Sequence, residues 1–246
     1  MKILGIIPAR FDSSRFPGKP LVDIAGKSMI RRVYEQCQLS SCLDKIIVAT
    51  DDDRILEHVK DFGGEAMMTS PLHPSGTDRC EEVAKQYPEF DICINIQGDE
   101  PLIDPSQIDL LAGCFNDKNI KIATLVKKIN TEDDLFNVNT PKVVLTKDMQ
   151  AIYFSRIAIP FFRNKEKSEW LKEHTYYKHI GIYAYRSETL SLITKLPVSS
   201  LEKAEALEQL RWIENGYHIR VAITEKESQA IDTPADLEKM LVNFNS

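Results

Sequence analysis

The sequence predicts an α/β fold: a mixed, mainly parallel, doubly wound sheet with helices on both faces. Three observations predict it. Short continuous apolar runs, such as residues 3–7, 45–50 (KIIVAT) and 91–96 (DICINI), read as strands buried on both faces. Stretches with apolar residues at helical spacing alternate with them, four strand-helix pairs in succession. The chain has 246 residues and 43% hydrophobic content, which supports one sizeable core or a core plus a smaller lobe.

Taken in order, the first strand covers Ile3 to Ile7 and is expected to end at Pro8, because proline cannot continue a central strand. A semi-rigid loop follows, within Ile6 to Leu21 (IIPARFDSSRFPGKPL), with Gly18 free to take unusual backbone angles. Ile30, Val33, Tyr34 and Cys37 mark a helix, and KIIVAT the next strand. Ile55, Leu56, Val59 and Phe62 mark a helix stopped by Gly63 and Gly64, and Glu65 to Met68 a short strand. Cys80, Val83, Ala84 and Tyr87 give a third helix, with Thr77 or Asp78 as its cap. DICINI leads through GDEP to a helix containing Ile108, Leu111 and Phe115.

Past Lys128 the pattern changes. Residues 142–146 and 151–154 form a hairpin pattern around Lys147 and Asp148, residues 164–174 read as a polar surface excursion, and 179–186 is β-rich. Residues 201–213 read as one helix, 219–223 as a late strand, and Thr233-Pro234 as the cap and first turn of a final helix. The whole chain, 1–246, reads as a single domain: a first half to about 128, an elaboration over about 129–216, and a return to the main sheet over 217–246.

The formal net charge of −6 argues against a general nucleic-acid binder. The five cysteines form no CxxC pair and read as free thiols of a reducing cytoplasm, not as a zinc site. No apolar stretch approaches the ~20 residues a bilayer crossing requires, and the short N-terminal apolar run is no signal peptide. A soluble, cytoplasmic protein without a membrane partner is expected.

Chemistry concentrates at four places. Arg10, Arg15 and Lys19, with Ser13 and Ser14, follow the first strand directly, and such a loop can bring cations and N–H groups to a polyphosphate. It lacks the Walker pattern. In NIQGDEP, Asp99 and Glu100 follow a buried strand and so lie at the same sheet edge; a carboxylate there can ligate magnesium or be a solvated turn residue. Asp232 in AIDTP is either its partner or a helix cap. In SGTDR, Ser75, Gly76 and Thr77 can offer N–H groups and hydroxyls to a ligand or simply cap a helix, and Arg79 can brace the loop or meet a phosphate.

The second half offers Arg156 and Arg163 as carboxylate ligands or surface ion-pair partners, and His179 and Tyr183, alternating with Ile180 and Ile182 on one strand face. Glu208 and Gln209 on a helix can bind hydroxyls or be a solvated face. No nucleophile–histidine arrangement and no GxGxxG after a strand is present.

PARFDSSRFPGKPL resembles the N-terminal signature of the 3-deoxy-manno-octulosonate cytidylyltransferases, the CMP-Kdo synthetases. The resemblance continues in order through IVATDD, SGTDR, NIQGDEP, YFSR, KHIGIYAY, LEQLR and IDTPADL, nearly the whole chain. It implies a Rossmann-like sheet of the nucleotide-diphospho-sugar transferase type with a smaller β-rich lobe for sugar binding and dimerisation. It implies that CTP and the eight-carbon sugar acid Kdo give CMP-Kdo and pyrophosphate for lipopolysaccharide biosynthesis, in a cytoplasmic homodimer that uses Mg²⁺.

The implied catalytic residues are Arg10, Lys19 and Asp99, with Asp99 and Asp232 on the metal. Pro8, Ala9, Arg10, Arg15, Lys19, Ser75, Gly76 and Arg79 would bind the nucleotide. Gln97, Arg156, Arg163, His179, Tyr183, Glu208 and Gln209 would bind the sugar.

The chain departs from the common pattern at Ser70, where arginine is usual, and at Phe161-Phe162, where tryptophan and an acid are usual. Ser70 within TSPLHPSGTDR resembles another branch, some members of which activate 8-amino-3,8-dideoxy-manno-octulosonate. A glycosyltransferase with a similar nucleotide-binding half would normally show an Asp-x-Asp pair, whereas Asp99 is followed by Glu100 and Pro101. A non-catalytic nucleotide sensor is the other alternative.

Overall fold

The structure is a computed structural model and describes residues 1–12 and 15–244, with the side chains of 243 and 244 outside the description; Ser13 and Ser14 of the basic loop therefore lie outside the described residues. The chain divides into two compact units, Met1–Ala112 with Ser228–Ser246, and Gly113–Glu227.

The first unit begins with β1 (Ile3–Ala9), then a small hairpin β2 (Asp23–Ile24) and β3 (Lys27–Ser28), and α1 (Met29–Gln38). It continues through β4 (Lys45–Thr50), α2 (Asp53–Asp61), β5 (Ala66–Met68), α3 (Gly76–Gln86), β6 (Ile92–Asn95) and α4 (Pro105–Gly113). β1 pairs in parallel with β6 on one side and β4 on the other, and β4 pairs in parallel with β5. Ile3, Leu4, Ile6 and Ile7 are buried, as a strand covered on both faces requires. The chain steps outward from β1 to β4 and β5, then returns to β6 beside β1. The direction reverses there, and α/β sheets bind ligands beyond the strand ends at such a reversal.

β1 does not stop at Pro8. It pairs with β4 through Ala9, while its pairing with β6 ends at Ile6 opposite Asn95. The Ile96 N–H donates to the Ile6 carbonyl at 2.9 Å. Backbone groups alternate sides with a period of two, so the Pro8 nitrogen also faces β6, where the ladder has already ended. No donor is needed there, and proline is accommodated. The cap of α3 is Ser75, whose hydroxyl accepts from Asp78 N–H, rather than Thr77 or Asp78.

The second unit comprises β7 (Ile122–Lys128), α5 (Glu132–Phe136), β8 (Lys142–Leu145), β9 (Ala151–Ser155), α6 (Trp170–Glu173) and β10 (Tyr177–Arg186). It closes with α7 (Ser187–Ile193), α8 (Ser200–Glu205), α9 (Gln209–Glu214) and β11 (Ile219–Ile223). β7 lies between β11, parallel, and β10, antiparallel, and β8 and β9 form the expected hairpin.

Two expectations fail here. The helix read over 201–213 is two helices, broken where Ala206 takes a left-handed conformation, φ 50° and ψ 50°. Residues 164–174 are not wholly a surface excursion, because Trp170 is buried against Ile129, Leu135 and Tyr176. The final helix, α10 (Pro234–Phe244), returns to the first unit, where Ile231 and Met240 pack with Ile24 and Met29.

Candidate active site

The two loops that leave β1 and β6 meet at the sheet edge. Gly18 is left-handed (φ 71°), and its N–H donates to the Phe11 carbonyl at 2.8 Å, closing the basic loop on itself. The guanidinium of Arg54 lies 3.2 Å from the Phe11 ring centroid and covers it. A 3-10 turn, Lys19–Leu21, follows Gly18 and sets the direction of Lys19.

The Lys19 ammonium donates to Asp99 Oδ2 at 2.8 Å and to Asp232 Oδ1 at 3.3 Å, and Arg15 Nη2 donates to the same Asp232 oxygen at 3.1 Å. Residues distant in the chain, in a cationic loop and two acidic turns, thus form one cluster. Asp232 arrives there because Ile231 N–H donates to the Asp99 carbonyl at 2.9 Å. The cap of α10 is built by others: Asp236 accepts from the N–H groups of Asp232 and Thr233, and Thr233 Oγ1 accepts from Asp236 N–H. The Asp232 carboxylate is left to the cations.

Beside the cluster is a cavity of about 350 Å³. Pro8, Ala9, Arg10, Arg15, Lys19 and Asp99 line it, so most of the proposed nucleotide set is in one place. Gln97, expected among the sugar ligands, lines this same cavity. Asp12 and Gly98 do too. Asp12 lies inside PARFDSSRFPGKPL, but an acid among cations gives no phosphate-binding signal of its own. A Cβ on Gly98 would sit 2.5 Å from the Pro8 carbonyl oxygen, so two backbones touch where the β1 and β6 loops pass. Gly98→Ala is expected to destabilise the fold by about 1–3 kcal/mol through forced separation of these backbones. Equilibrium urea unfolding checks this, and an unchanged midpoint would show that the contact yields freely.

Gly76 opens α3 against the Pro8 ring, and the Ser75 hydroxyl donates to Asp78 at 2.6 Å. Arg79 is a correction to the nucleotide-binding set. It is fully buried, with its guanidinium bonded to Asp51 (2.7 Å) and to the Thr69 hydroxyl. It ties the ends of β4 and β5 together and does not line the cavity. Sequence could not distinguish this, because the partners come from two separate turns.

In the second unit, the His179 and Tyr183 rings lie 5.1 Å apart, and Tyr183 meets Trp212 of α9 edge-on at the same distance. The β10–β7 ladder skips two residues between Ile180 and Tyr183, and the Thr124 hydroxyl fills that irregularity, bonding to the Ile182 carbonyl (2.8 Å) and His179 Nε2 (3.0 Å). Burial pushes the Tyr183 phenol well up, and the Glu208 carboxylate adds to the effect. Among the described residues, Tyr183 Oη and Gln209 Nε2 are buried without a hydrogen-bond partner. His179, Tyr183, Glu208 and Gln209 therefore gather around β10 and α9, with polar atoms still to be satisfied.

The expected arginines do not join them in the same way. Arg156 donates to the carbonyls of Val138, Glu205 and Ala206, so its guanidinium braces the kink before α9. The three donors shown meet backbone carbonyls and no side-chain carboxylate. Arg163 is exposed. At the two departures from the common pattern, the Ser70 N–H is held by Glu82 (2.9 Å), and Phe161 packs edge-on against Trp170.

Enclosure of the His179 imidazole lowers its pKa to about 3. Its folded-state value lies below the ordinary unfolded value near 6.5, so below that pH the unfolded chain takes up a proton that the folded chain refuses. Stability should fall with decreasing pH from about 6.5 towards 3, at a limiting slope of about 1.4 kcal/mol per pH unit from this group. His179→Gln should flatten that part of the profile. Urea midpoints at several pH values check this, and identical slopes in both proteins would refute it.

A triphosphate-sized cavity, with clustered cations and paired carboxylates at the reversal point of a parallel sheet, defines a nucleotide-handling α/β enzyme. The comparisons give the particular class. A family model described as cytidylyltransferase matches residues 4–226. A 3-deoxy-manno-octulosonate cytidylyltransferase from Parabacteroides distasonis is 58% identical over 246 residues, covering 98% of this chain and 97% of its own. One from Bacteroides thetaiotaomicron is 57% identical over 242 residues, covering 97% and 96%. The structure of a CMP:2-keto-3-deoxy-manno-octonic acid synthetase complexed with CTP superposes with TM-score 0.92 at 43% identity, covering 100% of this chain and 99% of that one. The chain belongs to the cytidylyltransferase family, among the 3-deoxy-manno-octulosonate cytidylyltransferases, and is a nucleotidyltransferase.

Proposed function

We propose that this chain transfers the cytidylyl group of CTP to 3-deoxy-D-manno-octulosonate, giving CMP-Kdo and pyrophosphate. The observation that carries the reading is the meeting of Lys19 and Arg15 with Asp99 and Asp232 beside the cavity at the ends of β1 and β6. In the reaction, the sugar's anomeric hydroxyl attacks the α-phosphorus, loses its proton, and the bond to the bridging oxygen of pyrophosphate breaks. Arg10, Arg15 and Lys19 offset the triphosphate charge and the charge that gathers on the departing pyrophosphate. No covalent enzyme intermediate is needed.

The carboxylates fit magnesium. Asp99 and Asp232 present oxygens to one shared cation position, taken here by the Lys19 ammonium. Among the described residues no group of three His, Cys, Asp or Glu gathers to hold a metal. Magnesium accepts one or two carboxylates, with phosphate and water as its other ligands. Bound there, it would supply Lewis acidity and neutralise phosphate charge.

The polar atoms of Tyr183 and Gln209, with Glu208 beside them, suit the hydroxyls of a sugar acid, and the exposed Arg163 suits its carboxylate. His179 is neutral across the working pH range and acts by hydrogen bonding, not as a base. Among the described residues no helix is long and apolar enough to cross a membrane. Use of CTP and five free thiols support a cytoplasmic site, with the product feeding lipopolysaccharide assembly. The family resemblance supports a homodimer, which a monomeric mass in solution would contradict.

A coupled pyrophosphate-release assay with CTP and Mg²⁺ tests the whole reading. Release that requires Kdo supports it. Release only with the 8-amino sugar would move the specificity to that branch, and CTP binding without release would leave a sensor.

A further inference from the structure

The second unit holds another cavity, of about 500 Å³, which the proposed reaction does not use. Arg220 on β11 stands in its wall with Lys121, Asn119, Tyr217 and His218. The Arg220 backbone is fixed between Ala123 of β7 and a bridge to Gln150, so the root of its side chain is held on both sides. Arg220 Nη1 donates to the Asp148 carbonyl at 3.1 Å. Among the described residues Nη2 meets only Asp117 Oδ2, at 3.9 Å, beyond hydrogen-bonding range, while Asp117 Oδ1 accepts from Asn119 N–H at 2.9 Å. Arg220 Nε is buried and has no hydrogen-bond partner among the described residues.

Nε and Nη2 lie on one edge of the guanidinium. That edge takes two oxygens of a carboxylate or phosphate side by side. Nε is a shut-off donor, while the Arg220 side chain as a whole is 30% exposed, and an acceptor entering from the adjoining cavity would satisfy it. Lys121 brings a second positive charge to the same wall, and Asp117 offsets only one of the two.

We propose that this cavity binds a small oxyanion, carboxylate or phosphate, held side-on by Arg220 with Lys121 as its second cation. Two-dimensional NMR of the full chain tests it through the backbone amides of Asn119 and Tyr217 and the Arg220 side-chain Nε–H. The probes are inorganic phosphate in one titration and malonate in another. A saturable shift at these signals with at least one probe, at millimolar or tighter affinity, is expected. It should persist in Lys19→Met, which weakens anion binding in the first unit. Arg220→Lys keeps the charge but removes the fork, and should weaken the amide response at least about tenfold; its retained turnover reports an intact fold. A response to phosphate alone makes the ligand a phosphoryl compound, and to malonate alone a carboxylate. No saturable response to either probe up to about 50 mM, or one undiminished in Arg220→Lys, would overturn the proposal.

Discussion

Asp99→Asn is expected to lower kcat by about two to three orders of magnitude, the usual cost of losing one well-placed electrostatic group. Asparagine keeps the size and shape of the side chain and leaves the backbone unchanged. The Asp99 carbonyl can still accept from Ile231 N–H, so the returning segment stays docked. The negative charge goes, and with it one of the two carboxylates facing the shared cation position. The magnesium concentration needed for half-maximal rate should rise together with the loss of kcat. Steady-state pyrophosphate release across a magnesium series, beside a melting curve, measures both. Turnover within a few-fold of wild type at every magnesium concentration would remove Asp99 from the mechanism.

Lys19→Met is expected to reduce kcat/KM for CTP by a similar factor while costing little stability. The Lys19 side chain is 13% exposed, but its partners are more open, Asp99 at 26% and Asp232 at 42%. Water screens such pairs, and their removal costs about 1 kcal/mol or less. The triphosphate and the leaving pyrophosphate make a larger demand, because their charge must be matched in a confined cavity. A large rate effect with a small melting shift marks a residue acting on substrate. Unfolding at room temperature, or an intact rate, would show that Lys19 serves mainly to link the loop to the two turns.

Much of this arrangement was legible in the sequence. The parallel sheet follows from apolar runs alternating with helical spacing, and the site follows from charged turns placed directly after two of those runs. What was hidden depended on partners elsewhere in the chain. Pro8 reads as a strand end, and is tolerated in β1 only because β6 has already left its side. Arg79 beside Ser75 and Gly76 reads as a ligand cation, but Asp51 and Thr69 enclose it. Ala206 has no local signature for a left-handed break, yet Arg156 holds the carbonyls of Glu205 and Ala206. Asp232 reads locally as a cap more than as a ligand, yet the capping bonds go to Asp236. β7, residues 122–128, has a weak sequence signature because its apolar part runs into two lysines without a turn signal.

The return of the chain to the first unit has a consequence for the acidic pair. Asp232 follows β11, the last strand among the described residues, and its segment is held beside Asp99 by the backbone bond from Ile231. Undocking of that short segment would take away half of the acidic pair and leave the strands before it in place. On the proposed chemistry, turnover would then report the seating of residues 231–232 as well as the integrity of the sheet.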